Sequence, residues 1–279
     1  MENMDETSPD IKGFNLNPSN TSNPIIVPED EGLKFDKDAL YYNMSGDKYL
    51  IVLNQHTFKK TRYFKNQQPT TRHGTDNDVK SLKLLFGNLG FEVIVFRDLE
   101  YSEIIKNLTA IATKDHSRTS CICVTILSHG DTGGEVHAAD RPYLLTDVFT
   151  IFEKQPSLVT KPKLYFVQAC RGSSMDAGNT VALDGEASFT VPTHADFLVL
   201  RSTVEDYLSY RDMNGSWMIQ ALCNVIQKHH EDLDLLHMIT LVHRQVAYER
   251  STYTPSNRAM NNKKQMPETR FTLTKLLKF

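Results

Sequence analysis

An α/β fold, built on a mostly parallel sheet of about six strands covered by helices on both faces, is what this 279-residue chain predicts. Two observations carry the prediction. Tyr49 to Leu53, Cys121 to Leu127 and Leu164 to Val167 are apolar nearly throughout, the composition of strands buried on both faces. Helical stretches with one apolar face separate them, and a β-α-β-α-β order builds a parallel sheet with helices on either side.

Residues 1 to 38 precede the first strand. Pro9, Pro18, Pro24 and Pro28 interrupt regular structure there, and residues 1 to 36 hold eight acids against Lys12 and Lys34. Such a segment cannot bury enough apolar surface to offset its ordering entropy, so a disordered acidic tail is expected. After the Tyr49 strand, Phe58-Lys-Lys-Thr-Arg-Tyr-Phe-Lys65 is basic and aromatic. With a net charge of only −3 for the chain, it reads as a solvated loop rather than a nucleic-acid surface. Thr75 with Asp78 three residues on reads as a capping-box variant, opening a helix that sets Val79, Leu82, Phe86 and Leu89 on one face and ends near Gly90.

Strand and helix then alternate. Glu92 to Phe96 is strand-like, and Ser102 to Thr113 is a helix with Ile104, Ile105, Leu108, Ile111 and Ala112 inward. The Cys121 strand follows, then a helical stretch from Leu145 to Phe152 and the Leu164 strand. Residues 173 to 187 are small and polar without periodicity, an exposed linker of the kind proteases cut. Asp196 to Leu200 is a further strand. Helices from Ser216 (burying Ile219, Leu222, Cys223 and Ile226) and from Asp234 (burying Leu235, Ile239, Val242 and Val246) follow. Phe271 to Phe279 closes the chain as a candidate edge strand.

Several function classes fall away. No apolar run approaches the roughly 20 residues of a membrane span, and the first 30 residues lack a signal peptide's apolar core. A cytoplasmic protein with neither membrane nor nucleic acid as partner is expected. Cys121, Cys123, Cys170 and Cys223 are too few and scattered for a disulfide scaffold, so reduced thiols are expected. Cys121 and Cys123 have no second pair to complete a zinc site; no metal or other cofactor is expected.

Chemistry gathers at two strand ends. The Leu164 strand runs into Gln168-Ala-Cys170-Arg-Gly172, and the Cys121 strand into Ser128-His129-Gly130. Parallel strands deliver both to the carboxyl edge of the sheet, where open α/β folds place their sites. A thiol is a nucleophile only as thiolate, and a histidine beside it can take its proton and pass it to a leaving amine. Gly130 leaves room for a substrate carbonyl, and its amide with that of Cys170 can form an oxyanion hole. The assembly implies acyl transfer through a thioester.

Gln168-Ala-Cys170-Arg-Gly172 with Ser-His-Gly upstream resembles the caspases, for which this pentapeptide is an established signature. The likeness runs from about residue 40 to the end. It includes Tyr41-Tyr42-Asn43-Met44, Arg72-His-Gly-Thr-Asp76, Asp115-His116-Ser117, Lys161-Pro-Lys-Leu, His194-Ala-Asp-Phe-Leu198, Ser202-Thr203, Ser209-Tyr210-Arg211 and Gly215-Ser-Trp217.

The resemblance implies a cysteine endopeptidase that cuts proteins after aspartate. Cys170 would attack, His129 would shuttle the proton, and Arg72, Gln168 and Arg211 would surround the substrate aspartate, with Ser209, Tyr210 and Trp217 beside them. Two guanidinium forks and an amide can saturate one small carboxylate. Tyr210 stands where relatives usually have Trp, a smaller wall for the adjoining subsite. Asp212 stands where relatives that favour an acid four places before the cut commonly have Asn, so a neutral or apolar residue is expected there.

The resemblance also implies a zymogen cut after aspartate into a large subunit (39 to 184) and a small one (185 to 279), behind the tail as prodomain. Asp184 is the expected site, ahead of Asp176 and of Asp30 in the tail. The short tail suggests an executioner type, with an upstream initiator protease and inhibitor-of-apoptosis proteins as partners and a homodimer formed through the last strand. The alternative is a catalytically weak homologue that acts as a decoy for active caspases.

Overall fold

In a computed structural model, residues 32–170, 195–204, 209–212, 214–253 and 261–279 are described. Strand β1 (Asp47–Asn54) leads to α1 (Thr75–Asn88), β2 (Glu92–Arg97), α2 (Tyr101–Ala112) and β3 (Thr119–Leu127). A small hairpin, β4 (Glu135–His137) with β5 (Pro142–Leu144), precedes α3 (Leu145–Glu153) and β6 (Lys163–Gln168). Then come β7 (Phe197–Arg201), the two-residue strands β8 (Arg211–Asp212) and β9 (Gly215–Ser216), α4 (Trp217–His229), α5 (Leu235–Glu249) and β10 (Glu268–Phe271).

The main sheet has six strands in the order β10-β7-β6-β3-β1-β2. All neighbours run parallel except β10 with β7, which are antiparallel. Every residue of β3, β6 and β7 is buried, as their continuous apolar composition predicts.

Alternation along the strands divides the core into two layers. Leu50, Val52, Cys121, Cys123, Leu164, Phe166, Leu198 and Leu200 face one way, onto Leu82 and Phe86 of α1, Met218 and Leu222 of α4, and Ile239 and Val242 of α5. Ile51, Leu53, Ile122, Val124, Ile126, Tyr165 and Val199 face the other way, onto Ile104 and Leu108 of α2 and Val148, Phe149 and Phe152 of α3. Each large apolar side chain fully buried in this way contributes about 1.5–3 kcal/mol. Together the layers fix the level at which β3 and β6 end.

Three expectations are corrected. Thr75 and Asp78 form no capping box: the N-cap is Gly74, at φ 85, with no side-chain cap. Both side chains are buried and taken by tertiary partners. Thr75 Oγ1 donates to Asn54 Oδ1 at 2.7 Å and accepts from Arg72 Nη1 at 3.0 Å, while Asp78 accepts from Ser216. The closing strand is Glu268–Phe271 rather than Phe271 to Phe279. Beyond it Leu277 and Phe279 turn back into the α1, α4 and α5 layer, where burial outweighs extending an edge. Nor is Phe58 to Lys65 a wholly solvated loop, for Phe58 is 4% exposed.

The tail up to residue 31 with Asp30, and the linker with Asp176 and Asp184, lie outside the described residues.

Candidate active site

The β3–β6 register sets the site. Ile126 pairs with Val167 and Leu127 with Gln168, and Ser128 N continues the ladder to Gln168 O at 3.1 Å. Two residues past the last pair on each chain stand His129 and Cys170, at the same level on adjacent strand ends. The ends approach so closely that a Cβ on Gly130 would collide with the Cys170 carbonyl oxygen and lie 3.0 Å from the Ala169 Cβ. Only glycine fits there.

Past Gly130 the chain folds back as β4. His137 N donates to His129 O at 2.9 Å and Asp131 N to Glu135 O at 3.1 Å. These two bonds flank the Gly130–Val136 bridge and make no use of the Gly130 amide. The Ser128 hydroxyl donates to His137 O at 2.5 Å, tying the turn to the strand end.

His129 is oriented from the loop after β1. Its Nε2 lies 2.7 Å from the Thr70 carbonyl oxygen, which can only accept, so Nε2 carries the hydrogen and the neutral ring has its lone pair at Nδ1. The Phe58 ring packs over the imidazole with centroids 5.0 Å apart. Behind them His137 lies 4.9 Å from Phe64, and burial holds its pKa below the ordinary histidine value.

Cys170 is half-buried. Its Sγ lies 3.5 Å from Ser209 Oγ and 3.9 Å from Ser209 O. The backbone just before it is held by the buried Ser202, whose hydroxyl accepts from Ala169 N at 3.2 Å and donates to Ala169 O at 2.8 Å. By contrast Cys121, Cys123 and Cys223 are buried in the core, where desolvation raises their pKa values, so those thiols stay protonated and inert.

Arg72 follows two residues after Thr70 and is 1% exposed. Its Nη1 donates to Gln55 O at 2.9 Å and to Thr75 Oγ1 at 3.0 Å. Gln168 is buried at the end of β6, and its Oε1 has no hydrogen-bond partner among the described residues, an arrangement that invites a polar ligand. Arg211 and Asp212 form β8, described in backbone only. Tyr210 and Trp217 are in ring contact at 5.0 Å, and Trp217 N donates to Tyr210 O at 3.2 Å.

Sequence reasoning missed Phe58, the Thr70 carbonyl and Gln265. Gln265 Oε1 accepts from Tyr210 N at 2.7 Å and its Nε2 donates to Ser202 O at 2.9 Å, so it links the Tyr210 segment to the serine that pins Cys170. None of the three had a sequence signal, because each acts from a loop, one of them through backbone alone. No group of three or more His, Cys, Asp or Glu among the described residues could hold a metal ion. No helix among them is long and apolar enough to cross a membrane.

Comparison with known proteins agrees with this geometry. The profile of the caspase domain family matches residues 47–278. Caspase drICE of Drosophila melanogaster is 35% identical over 255 residues, 88% of this chain and 74% of that protein. Caspase-3 of Bos taurus is 37% identical over 235 residues, 82% of this chain and 83% of its own. The crystal structure of caspase-1 from Spodoptera frugiperda superposes with a TM-score of 0.78 at 35% identity, covering 88% of this chain and 95% of that one.

Proposed function

The chain belongs to the caspase family, and from that premise we propose how its residues divide the work of the reaction. It is a caspase-type cysteine endopeptidase of apoptosis, cutting protein substrates after aspartate. In our reading Cys170 is the nucleophile and His129 the acid–base. The Cys170 proton passes to His129 Nδ1 as Sγ bonds to the scissile carbonyl carbon. The oxygen then takes the negative charge, facing the amides of Gly130 and Cys170. Collapse breaks the C–N bond, the amine leaves with the proton from His129, and a thioester remains. Water, giving a proton to His129, attacks the thioester; the C–S bond breaks and the thiol is restored.

The single observation that carries this reading is the strand register that sets His129 and Cys170 side by side, with Nε2 bonded to Thr70 O. Arg72, Gln168 and Arg211 hold the substrate aspartate, with Ser209, Tyr210 and Trp217 lining the neighbouring wall. Asp212 disfavours an acid four places before the cut. A positional peptide library with strong aspartate preference at that subsite overturns this last assignment.

Activation follows cleavage after Asp184, with Asp176 next and Asp30 releasing the tail. Cuts after Asp30 and Asp184 yield fragments 31 to 184 and 185 to 279, which carry the large subunit (39 to 184) and the small one in a cytoplasmic homodimer. An initiator protease makes the cut, and inhibitor-of-apoptosis proteins restrain the product. Fragments beginning at neither Ala177 nor Gly185 count against the linker sites.

The test is hydrolysis of matched peptides ending in Asp, Glu or Asn by the purified protein, with Cys170→Ala beside it. Cleavage after Asp alone, abolished by Cys170→Ala, is expected. Arg72→Ala should lower kcat/KM by about 10²- to 10³-fold, since an unpaired buried charge costs about 2–5 kcal/mol. Equal cleavage after Asp and Asn overturns the pocket, and activity retained by Cys170→Ala overturns the nucleophile.

A further inference from the structure

Asp78 lies one turn into α1, three residues after Thr75, with its side chain wholly buried. Its Oδ1 accepts from the Ser216 amide at 2.8 Å and from Gln220 Nε2 at 2.8 Å, and its Oδ2 accepts from the Ser216 hydroxyl at 2.5 Å. Ser216 is the residue that pairs with Arg211 across the β8–β9 hairpin. The carboxylate therefore grips the strand directly opposite Arg211. Gly215 completes the seat: its φ is +123, and a Cβ there would meet Asp78 Oδ1 and lie 2.5 Å from Gln220 Nε2.

The same helical turn holds the other arginine, through Arg72 Nη1 on Thr75 Oγ1 at 3.0 Å. Thr75 and Asp78, on one face of one turn, thus tie down the two segments that carry the pocket guanidinium groups. The Asp78–Ser216 contact spans 138 residues of chain and crosses the linker, so it can persist after the linker is cut. Burial raises the Asp78 pKa, and the Ser216 and Gln220 donors and the positive charge of Arg72 pull it back. An ionisable group kept against that cost is accounted for if it fixes a geometry.

We propose that Asp78 is a positioning residue for the aspartate pocket: without touching substrate, it sets the spacing between the Arg72 loop and the Arg211 hairpin, and with it the discrimination of aspartate from glutamate. The inference rests on the pocket assignment above.

Asp78→Ala, Asp78→Asn and Ser216→Ala would be compared with the wild type on matched Asp and Glu peptides. Alkylation of Cys170 by iodoacetamide serves as a measure that bypasses the pocket. Asp78→Ala is expected to raise KM for the Asp peptide about tenfold or more, to narrow the Asp-to-Glu ratio, and to leave kcat within about threefold. Asn can accept from the Ser216 amide and donate to its hydroxyl, so Asp78→Asn should restore KM to within about threefold of wild type.

Ser216→Ala removes one of the three bonds and keeps the amide, and it should raise KM about threefold with alkylation unchanged. If Asp78→Ala does not fold, Ser216→Ala and Asp78→Asn carry the test. A wild-type KM in Ser216→Ala, or alkylation falling in step with kcat/KM, overturns the inference, as does an Asp78→Asn KM raised about tenfold. A wild type that does not prefer the Asp peptide overturns instead the pocket reading, a result separable from failure of the variants.

Discussion

Phe58 shows how a residue with no chemistry of its own governs the site. Its ring lies 5.0 Å from that of His129, so in the proposed mechanism the imidazolium formed when Cys170 gives up its proton would meet an aromatic face. Such a contact contributes about 0.5–2 kcal/mol. Phe58→Leu keeps an apolar side chain and removes the aromatic face, and we expect kcat to fall about five- to tenfold with KM little changed. Steady-state kinetics on an Asp peptide decide it; an unchanged kcat refutes the contact. That Cys170, His129 and Gly130 follow the ends of apolar strands was legible in sequence, whereas Phe58 lies in an irregular basic stretch that masked its burial.

Asp78 makes a stability prediction with a definite sign. Burial raises its folded pKa above the unfolded value of about 4. Between those two values the native state binds more protons than the unfolded chain, so stability falls as pH rises through that window. Asparagine has no proton to lose. The stability of Asp78→Asn relative to wild type should therefore grow as pH rises from about 4 through the raised folded pKa, as read in denaturant titrations. A constant difference between the two curves contradicts the assignment.

At the scale of elements, β6 runs from a buried cation toward Cys170. Lys163 opens the strand, donating to Leu158 O at 2.9 Å and Lys161 O at 2.6 Å, with its Nζ 4.9 Å from the Phe197 ring centre. Burial lowers its pKa to about 8, against the opposing pull of Asp196, Cys121 and Glu153, while Lys161 adds to the lowering. The unfolded lysine titrates near about 10.4. Between pH 8 and that value the unfolded chain holds a proton the native state has released, so native stability rises with pH there and the full cost stands below pH 8. Relative to Lys163→Met, wild type should gain up to about 3 kcal/mol from pH 7.5 to 10.5; parallel curves rule this out.

Element type followed from composition wherever a run was long: β1, β3, β6, α2 and α5 lie where apolar pattern puts them. The short hairpins were not legible, since β8 and β9 have two residues each and no periodicity can show in so little chain. Nor was the true start of α1, because Thr75 and Asp78 have the residue types of a cap while their oxygens bond to β1 and the hairpin. A local rule gives way there to partners 21 and 138 residues distant.

For the whole molecule, the decisive feature is that the sheet ends on β10 while Cys170 stands only two strands inward, just past the end of β6. Strand order was beyond the sequence, which gives alternation but not which neighbour each strand takes. β10 presents its outer edge with Phe271 50% exposed and Met266 40% exposed nearby, and an exposed edge of this kind pairs readily with a second copy about a twofold axis. Gln265, one residue before Met266, bonds both Tyr210 N and Ser202 O, so whatever steadies the edge also steadies the backbone around Cys170.

Phe271→Asp would set two carboxylates against each other in that pairing and remove two apolar contacts. We expect sedimentation at micromolar concentration to show a dimer for wild type and half that mass for the variant. Activity per Cys170 should fall about tenfold or more and recover partly as protein concentration rises. A wild type that sediments at half the dimer mass, or a variant that dissociates and keeps full activity, removes the link from edge to site.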